Sequence, residues 1–219
     1  MTDKNPSKTK QPKSKSRRRR KEARPTEILQ AAVEEFAENG FAGAKIDAIA
    51  ARAGVAKGTV YLYYSTKEEI FEAIVRDKVS PVFKMVSGIV KLWPGSQAGL
   101  LKKIISRFYS EMVENDDRRM ILHTLISESD RFEHLAAFYH KEILQPARKM
   151  IGGIIRKGIQ NGEFRDTPIK NEPAVIMGPA MMAAIWKMTF EKTEKLQTKR
   201  WLEAHLDLVV HGLKISNES

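Results

Sequence analysis

From Pro25 onward the apolar residues of this chain recur at helical spacing almost without interruption, and that period closes off most folds. Ile28, Leu29, Ala32, Val33, Phe36 and Ala37 fall on one stripe, an amphipathic first helix ended by Asn39-Gly40. A second, short helix is expected over Ile46 to Arg52, stopping at Gly54, and a third over Lys57 to Tyr63. Thr66 and Glu69 form a Thr-x-x-Glu capping box. The box starts a long helix whose buried side carries Ile70, Phe71, Ile74, Val75, Val79, Val82, Phe83, Val86 and Val90, with a kink or break expected at Pro81. Further helical stretches lie between punctuators such as Trp93-Pro94-Gly95, Asn161-Gly162 and Thr167-Pro168. No segment alternates with period two, and no fixed-period repeat is visible, so the fold class is all-α.

The stretch Ile49 to Val60 carries the functional signal. A helix-turn-helix needs a small residue where two helices cross, a residue tolerant of positive φ at the turn, and an apolar anchor on the second helix. Ala50, Gly54 and Val60 supply these at offsets 0, 4 and 10. With that turn fixed, Val60 and Tyr64 face inward, and Lys57, Thr59, Tyr61 and Tyr63 surround the exposed side. Lysine, threonine and tyrosine suit phosphate oxygens and base edges in a major groove.

Charge is distributed unevenly. The formal net charge is +11. Residues 1–24 hold eleven Lys and Arg, with Arg17, Arg18, Arg19 and Arg20 in one run, against Asp3 and Glu22. They contain no Leu, Ile, Val or aromatic residue, so nothing offsets the cost of ordering them. We read them as a disordered basic arm that touches phosphate. Residues 25–70 have a net charge of −3 and residues 71–219 of +5, which excludes a uniformly basic body. The expected organisation is therefore an arm over 1–24, a helix-turn-helix DNA-binding domain over 25–70, and a larger helical domain over 71–219.

Other classes lose their support. There is no Cys, hence no disulfide framework, thiolate metal site or thiol nucleophile. The longest uncharged apolar run, Ala174 to Trp186, is too short to span a bilayer, and no apolar region succeeds the N-terminal charges as a secretory signal would require. A cytoplasmic protein without membrane contact is expected. No Gly-rich phosphate loop, His-Glu-x-x-His or nucleophile elbow is present. His134 and His140 stand six apart, off the spacing of metal ligands on one helix face. Neither an enzyme nor a cofactor or metal is expected.

Taken in order, Ile28-Leu29-x-Ala31-Ala32, Phe36, Asn39-Gly40-Phe41, Ile49-Ala50, Ala53-Gly54-Val55, Lys57-Gly58-Thr59-Val60-Tyr61, Tyr63-Tyr64 and Thr66 to Phe71 resemble the tetracycline-repressor (TetR) family of bacterial transcription regulators. The resemblance implies that Lys57, Gly58, Thr59, Leu62 and Tyr63 face the bases, and that Thr59, Tyr61 and Lys67 contact phosphate. One departure stands out: Ala44-Lys45 occupies a place where the family usually has Thr or Ser. Lys45 can reach a phosphate but cannot cap the second helix.

The resemblance also implies that the remainder binds an effector and dimerises. Phe108, Met112, His123 and Phe138 are the candidate pocket residues, suited to an apolar or aromatic small molecule. The segment Val175 to Trp186 has no charge on any face, and Leu196, Leu202, Leu206, Val209 and Leu213 form a stripe on the last helix. A homodimer through both helices is expected, with Met181, Met182, Ile185, Leu202, Leu206 and Val209 at the interface. The expected function is a ligand-responsive regulator, most simply a repressor, that binds a palindromic double-stranded DNA operator as a dimer. The alternative is a protein that coats nucleic acid non-specifically through its arm.

Overall fold

The computed structural model describes residues 13–215, with side chains from Arg24 onward. Eleven α-helices succeed one another among the described residues, which contain no strand. The first, α1, runs from Lys13 to Gly43, with Pro25 inside it. The arm is thus not set off from the globular part as expected, because residues 13–24 continue the helix. Arg, Lys, Glu and Ala have high helix propensity, and the buried stripe beyond Pro25 supplies a nucleus to extend. The part of the arm before Lys13 lies outside the described residues. Gly40 sits at φ 67° and ψ 164°, so the expected stop at Asn39-Gly40 is a real interruption within the last turns. Ala31 is buried and Ala37 exposed, a small rotation of the expected stripe.

Helix α2 (Ile46–Arg52) spans the expected residues. Helix α3 (Lys57–Tyr61) ends two residues early, with Leu62 as its cap. Thr66 caps α4 (Lys67–Lys78) by accepting from the Glu69 amide at 3.2 Å, and the Glu69 carboxylate reaches back to the Ser65 amide at 2.6 Å. The expected long helix breaks at Val79, and α5 (Ser80–Leu92) begins with Pro81 in its first turn, where a missing N–H costs nothing.

Helix α6 (Gln97–Phe108) runs into a π-helical turn over Tyr109–Val113, and α7 (Asp116–Glu128) comes next. Helix α8 (Glu133–Tyr139) passes through a second π turn, His140–Leu144, into α9 (Gln145–Gln160). After two short 3-10 turns come α10 (Gly178–Thr189) and α11 (Thr198–Leu213). The Trp186 and Trp201 rings pack at 5.8 Å between these two helices, and the Trp201 indole donates to the Pro179 carbonyl at 3.1 Å.

Two apolar clusters result. One gathers the buried faces of α1 to α4 and extends to Met120, Ile121, Leu135, Tyr139 and Ile143 of the later helices. Phe36, Phe41 and Phe71 form its centre, with Phe41–Phe71 at 5.7 Å and Phe41–Phe132 at 4.9 Å, both edge-to-face. The other joins α5, α6, α9, α10 and α11 around Leu100, Leu101, Ile105, Ile155, Ala180, Ala183 and Ala184.

Candidate DNA interface and internal cavity

The helix-turn-helix is built as its three scaffold residues require. Ala50 and Val60 are buried at the crossing, and Gly54 lies at φ 63°. Its amide donates to the Ala51 carbonyl and that of Val55 to the Ala50 carbonyl, closing the end of α2. A Cβ on Gly54 would meet nothing within 4 Å, so backbone conformation alone calls for glycine.

A clamp that sequence reading missed holds α2 against α1. Glu35 is 3% exposed, and its carboxylate accepts from Arg52 Nε at 3.1 Å and from the Lys45 amide at 3.5 Å. Arg52 also pairs with Glu38, and these hydrogen bonds raise its pKa above the ordinary value. Lys45 provides no side-chain cap to α2, as expected, and the Glu35 carboxylate stands near that positive helix end in its place. A glutamate beside the buried Phe36, on an otherwise apolar face, was the available signal.

On the outer side of α3, Leu62 is 82% exposed and Tyr61 46%; Lys57 and Gly58 are exposed, while Thr59 and Tyr63 are half-buried. All six fall within residues 57–63, on α3 and the turn that closes it. Lys57 Nζ lies 2.7 Å from Asp47 Oδ1, and that hydrogen bond raises its pKa. Lys67, a candidate phosphate contact, reaches back to the end of α1. Its Nζ donates to the carbonyls of Phe41 and Ala42 at 2.7 and 2.9 Å, with the Phe41 ring 4.9 Å away. Its charge satisfies the frayed end of α1.

An apolar cavity of about 120 Å³ opens between the two clusters. Val79, Val82, Phe83 and Val86 of the α4–α5 junction form one wall; Phe108 and Met112 the next; Tyr139, Ile143, Met150, Met177 and Met181 close it. Phe108 and Met112, two of the candidate pocket residues, line this cavity. His123 does not: it is exposed on α7, beside a surface groove with Ile126, Ile185 and Met188. Phe138 also misses, because one residue further on, Tyr139 takes the inward position. The Phe138 ring instead covers the Arg76 guanidinium at 4.7 Å. Burial pushes the Tyr139 phenol up to about 12.

Arg107, Glu111 and Arg118 form the polar end of the cavity. Arg118 also donates from Nε to the Lys78 carbonyl at 2.8 Å, while Lys78 Nζ reaches Asp117 at 3.2 Å. The last turn of α4 is thereby tied to the first turn of α7.

The surface of α10 and α11 exposes Met182 at 41% and Leu208 at 65%; Ile185, Leu202 and Leu206 are half-buried. Two expected interface residues face the other way. Val209 is 8% exposed within the second cluster, and Met181 lines the cavity. On an uncharged helix every face reads alike, so periodicity could not separate them. Behind this surface, His205 is 2% exposed, with Nε2 2.7 Å from the Ile176 carbonyl and Nδ1 3.2 Å from the Tyr109 hydroxyl. A carbonyl only accepts, so Nε2 carries the proton of the neutral ring and Nδ1 accepts from Tyr109. Burial lowers the His205 pKa.

Among the described residues no three His, Asp or Glu gather as metal ligands, and no helix is long and apolar enough to cross a membrane. The model of the family described as "Bacterial regulatory proteins, tetR family" matches residues 28–74. The fatty acid metabolism regulator protein of Bacillus subtilis (strain 168) is 31% identical over 140 residues, 64% of this chain and 70% of its own length. The transcriptional repressor KstR2 of Rhodococcus jostii is 26% identical over 198 residues, 88% of this chain and 92% of that one. Among solved structures, the transcriptional regulator FadR from Bacillus subtilis in complex with stearoyl-CoA superimposes with a TM-score of 0.73 at 26% identity, covering 86% of this chain and 98% of FadR. The chain belongs to the tetR family of bacterial regulatory proteins and is a DNA-binding transcriptional regulator.

Proposed function

We propose that the chain is a repressor whose dimer binds a near-palindromic operator and is released when an apolar-chain effector enters the cavity between the two clusters. The observation that carries this reading is the position of that cavity. One wall is the junction where α4, rooted in the DNA-reading head, gives way to α5. Whatever fills the cavity presses on that junction. A ligand shifts the equilibrium by its differential affinity for the two head positions, typically worth about 1–3 kcal/mol. The stearoyl-CoA held by the Bacillus subtilis FadR supports a chain-like ligand. So do the four methionines, Met112, Met150, Met177 and Met181, around a free volume well below that of an ordinary ligand site. Such walls repack to admit a longer chain.

In this reading residues 1–24, 25–70 and 71–219 act as arm, reading head and effector-binding and dimerisation body. Lys57, Gly58, Thr59, Leu62 and Tyr63 meet base edges, Tyr61 and Lys45 the backbone, and Arg17 to Arg20 add sequence-independent attraction. Met182, Ile185, Leu202, Leu206 and Leu208 meet the second copy. Deleting residues 1–20 is expected to weaken DNA binding and flatten its salt dependence, since log K changes by about 0.9 per neutralised phosphate for each decade of salt. The decisive experiment selects operators from a random DNA pool with the purified protein, then titrates the winning fragment with a long-chain acyl-CoA. A palindromic consensus released by the ligand supports the reading. Enrichment of no sequence, with binding indifferent to T59A and Y63A, would identify a non-specific coating protein instead.

A further inference from the structure

Among the described residues lining the cavity, only Arg107, Glu111 and Arg118 are charged. Glu111 stands between the two guanidiniums. Its Oε2 lies 2.6 Å from Arg118 Nη1, and its Oε1 is paired with Arg107 one helical turn back. The Glu111 and Arg118 side chains are 13% and 14% exposed, whereas Arg107 is 39% exposed and stands toward solvent. One carboxylate between two permanent cations leaves a single positive charge beside an apolar chamber, and charge in such surroundings calls for a partner.

The two arginines are not equally satisfied. Arg118 directs its other donors to the carbonyls of Lys78 and Glu111, at 2.8 and 3.2 Å. Arg107 Nε is buried and has no acceptor among the described residues. Arg107 Nη2 is engaged by Glu111, so Nε is the donor left over, and an N–H on a guanidinium is best matched by an anionic oxygen.

We propose that the effector is an amphiphile with an anionic head, one of whose oxygens accepts from Arg107 Nε while its chain lies among the methionines. This deepens the reading of the cavity as the effector site and depends on it. A carboxylate and a phosphate monoester share the required chemistry. A neutral head would leave both the surplus charge and Arg107 Nε unmatched, and a cationic head would face two arginines.

The test uses the full-length protein and four probes with one chain length: decanoate, decyl phosphate, decan-1-ol and decylammonium, each titrated by calorimetry. The anions are expected to bind at least about tenfold more tightly than the alcohol, with no binding of the ammonium. The tighter of the two anions identifies the head group. R107M is expected to remove most of that preference, read as the ratio of anion affinity to decan-1-ol affinity in the same variant. Equal affinity for acid, phosphate and alcohol would overturn the anionic head yet leave the effector site standing. Absence of binding by all four would overturn the effector site itself, and the anionic head with it. An anion preference that survives R107M would refute the role given to Arg107. Should that variant fail to fold, the comparison of the four probes on the unaltered protein still decides.

Discussion

Around Phe36, Phe41 and Phe71 the molecule is filled with rings and β-branched chains, most of them fully buried, whereas the seam between the two clusters is walled by four methionines and left partly empty. Phenyl rings and isoleucines have few rotamers and hold one arrangement; unbranched thioethers accept several. In the proposed mechanism the reading head keeps its shape while it moves, and the seam is where shape changes. The break at Val79 and the Arg118 bond to the Lys78 carbonyl lie on the border between them.

The strongest attempt to break this contrast is Phe71→Ala. It opens a void in the rigid cluster and is expected to cost about 3–5 kcal/mol in denaturant unfolding. A cost near 1 kcal/mol would show the head to be as adaptable as the seam. Next comes Leu62→Ala, at the exposed tip of the head, expected to lower discrimination among operator variants by on the order of 1 kcal/mol while stability moves by less than about 0.5 kcal/mol. In the seam, Met181→Leu preserves volume and should cost less than about 1.5 kcal/mol of stability, yet shift the half-maximal effector concentration. On the border, Pro81→Ala should change stability by under about 1 kcal/mol and alter effector response more than basal DNA binding. Equal changes in both would remove the junction from the mechanism.

The smallest effect is a pH slope confined to the second cluster. His205 is held neutral by burial, with its folded pKa below the ordinary 6.5. Its contribution is therefore fully present above pH 6.5 and is lost as pH falls through the folded pKa, because the unfolded chain binds the proton first. Unfolding midpoints compared at pH 7 and pH 5.5 should show this loss, and H205Q should reduce the slope.

Much of the head was legible because its requirements are local. The left-handed Gly54, the Thr66 cap and the proline start of α5 each depend on one or two residues and the backbone around them. The seam was not, for two reasons. An apolar stripe has the same period whether it faces packed atoms or empty space, so Val82 and Val86 gave no sign of a cavity. The rotation of α8 is the second reason: whether Phe138 or Tyr139 points inward depends on how the connection from Glu128 to Glu133 sets that helix, which no spacing within it announces. Lys67 and Glu35 belong to a third kind: charges whose partners are backbone groups far along the chain, which no local pattern announces.

The exposed Leu62 separates two quantities that are usually measured together. Contacts between cations and phosphates weaken as salt displaces them, but an aliphatic side chain against a thymine methyl has no counterion to exchange. In the proposed binding mode, raising ionic strength should therefore erode residence on random DNA faster than preference at the base pair beneath Leu62. The regulator would become scarcer on the chromosome and choosier about where it remains.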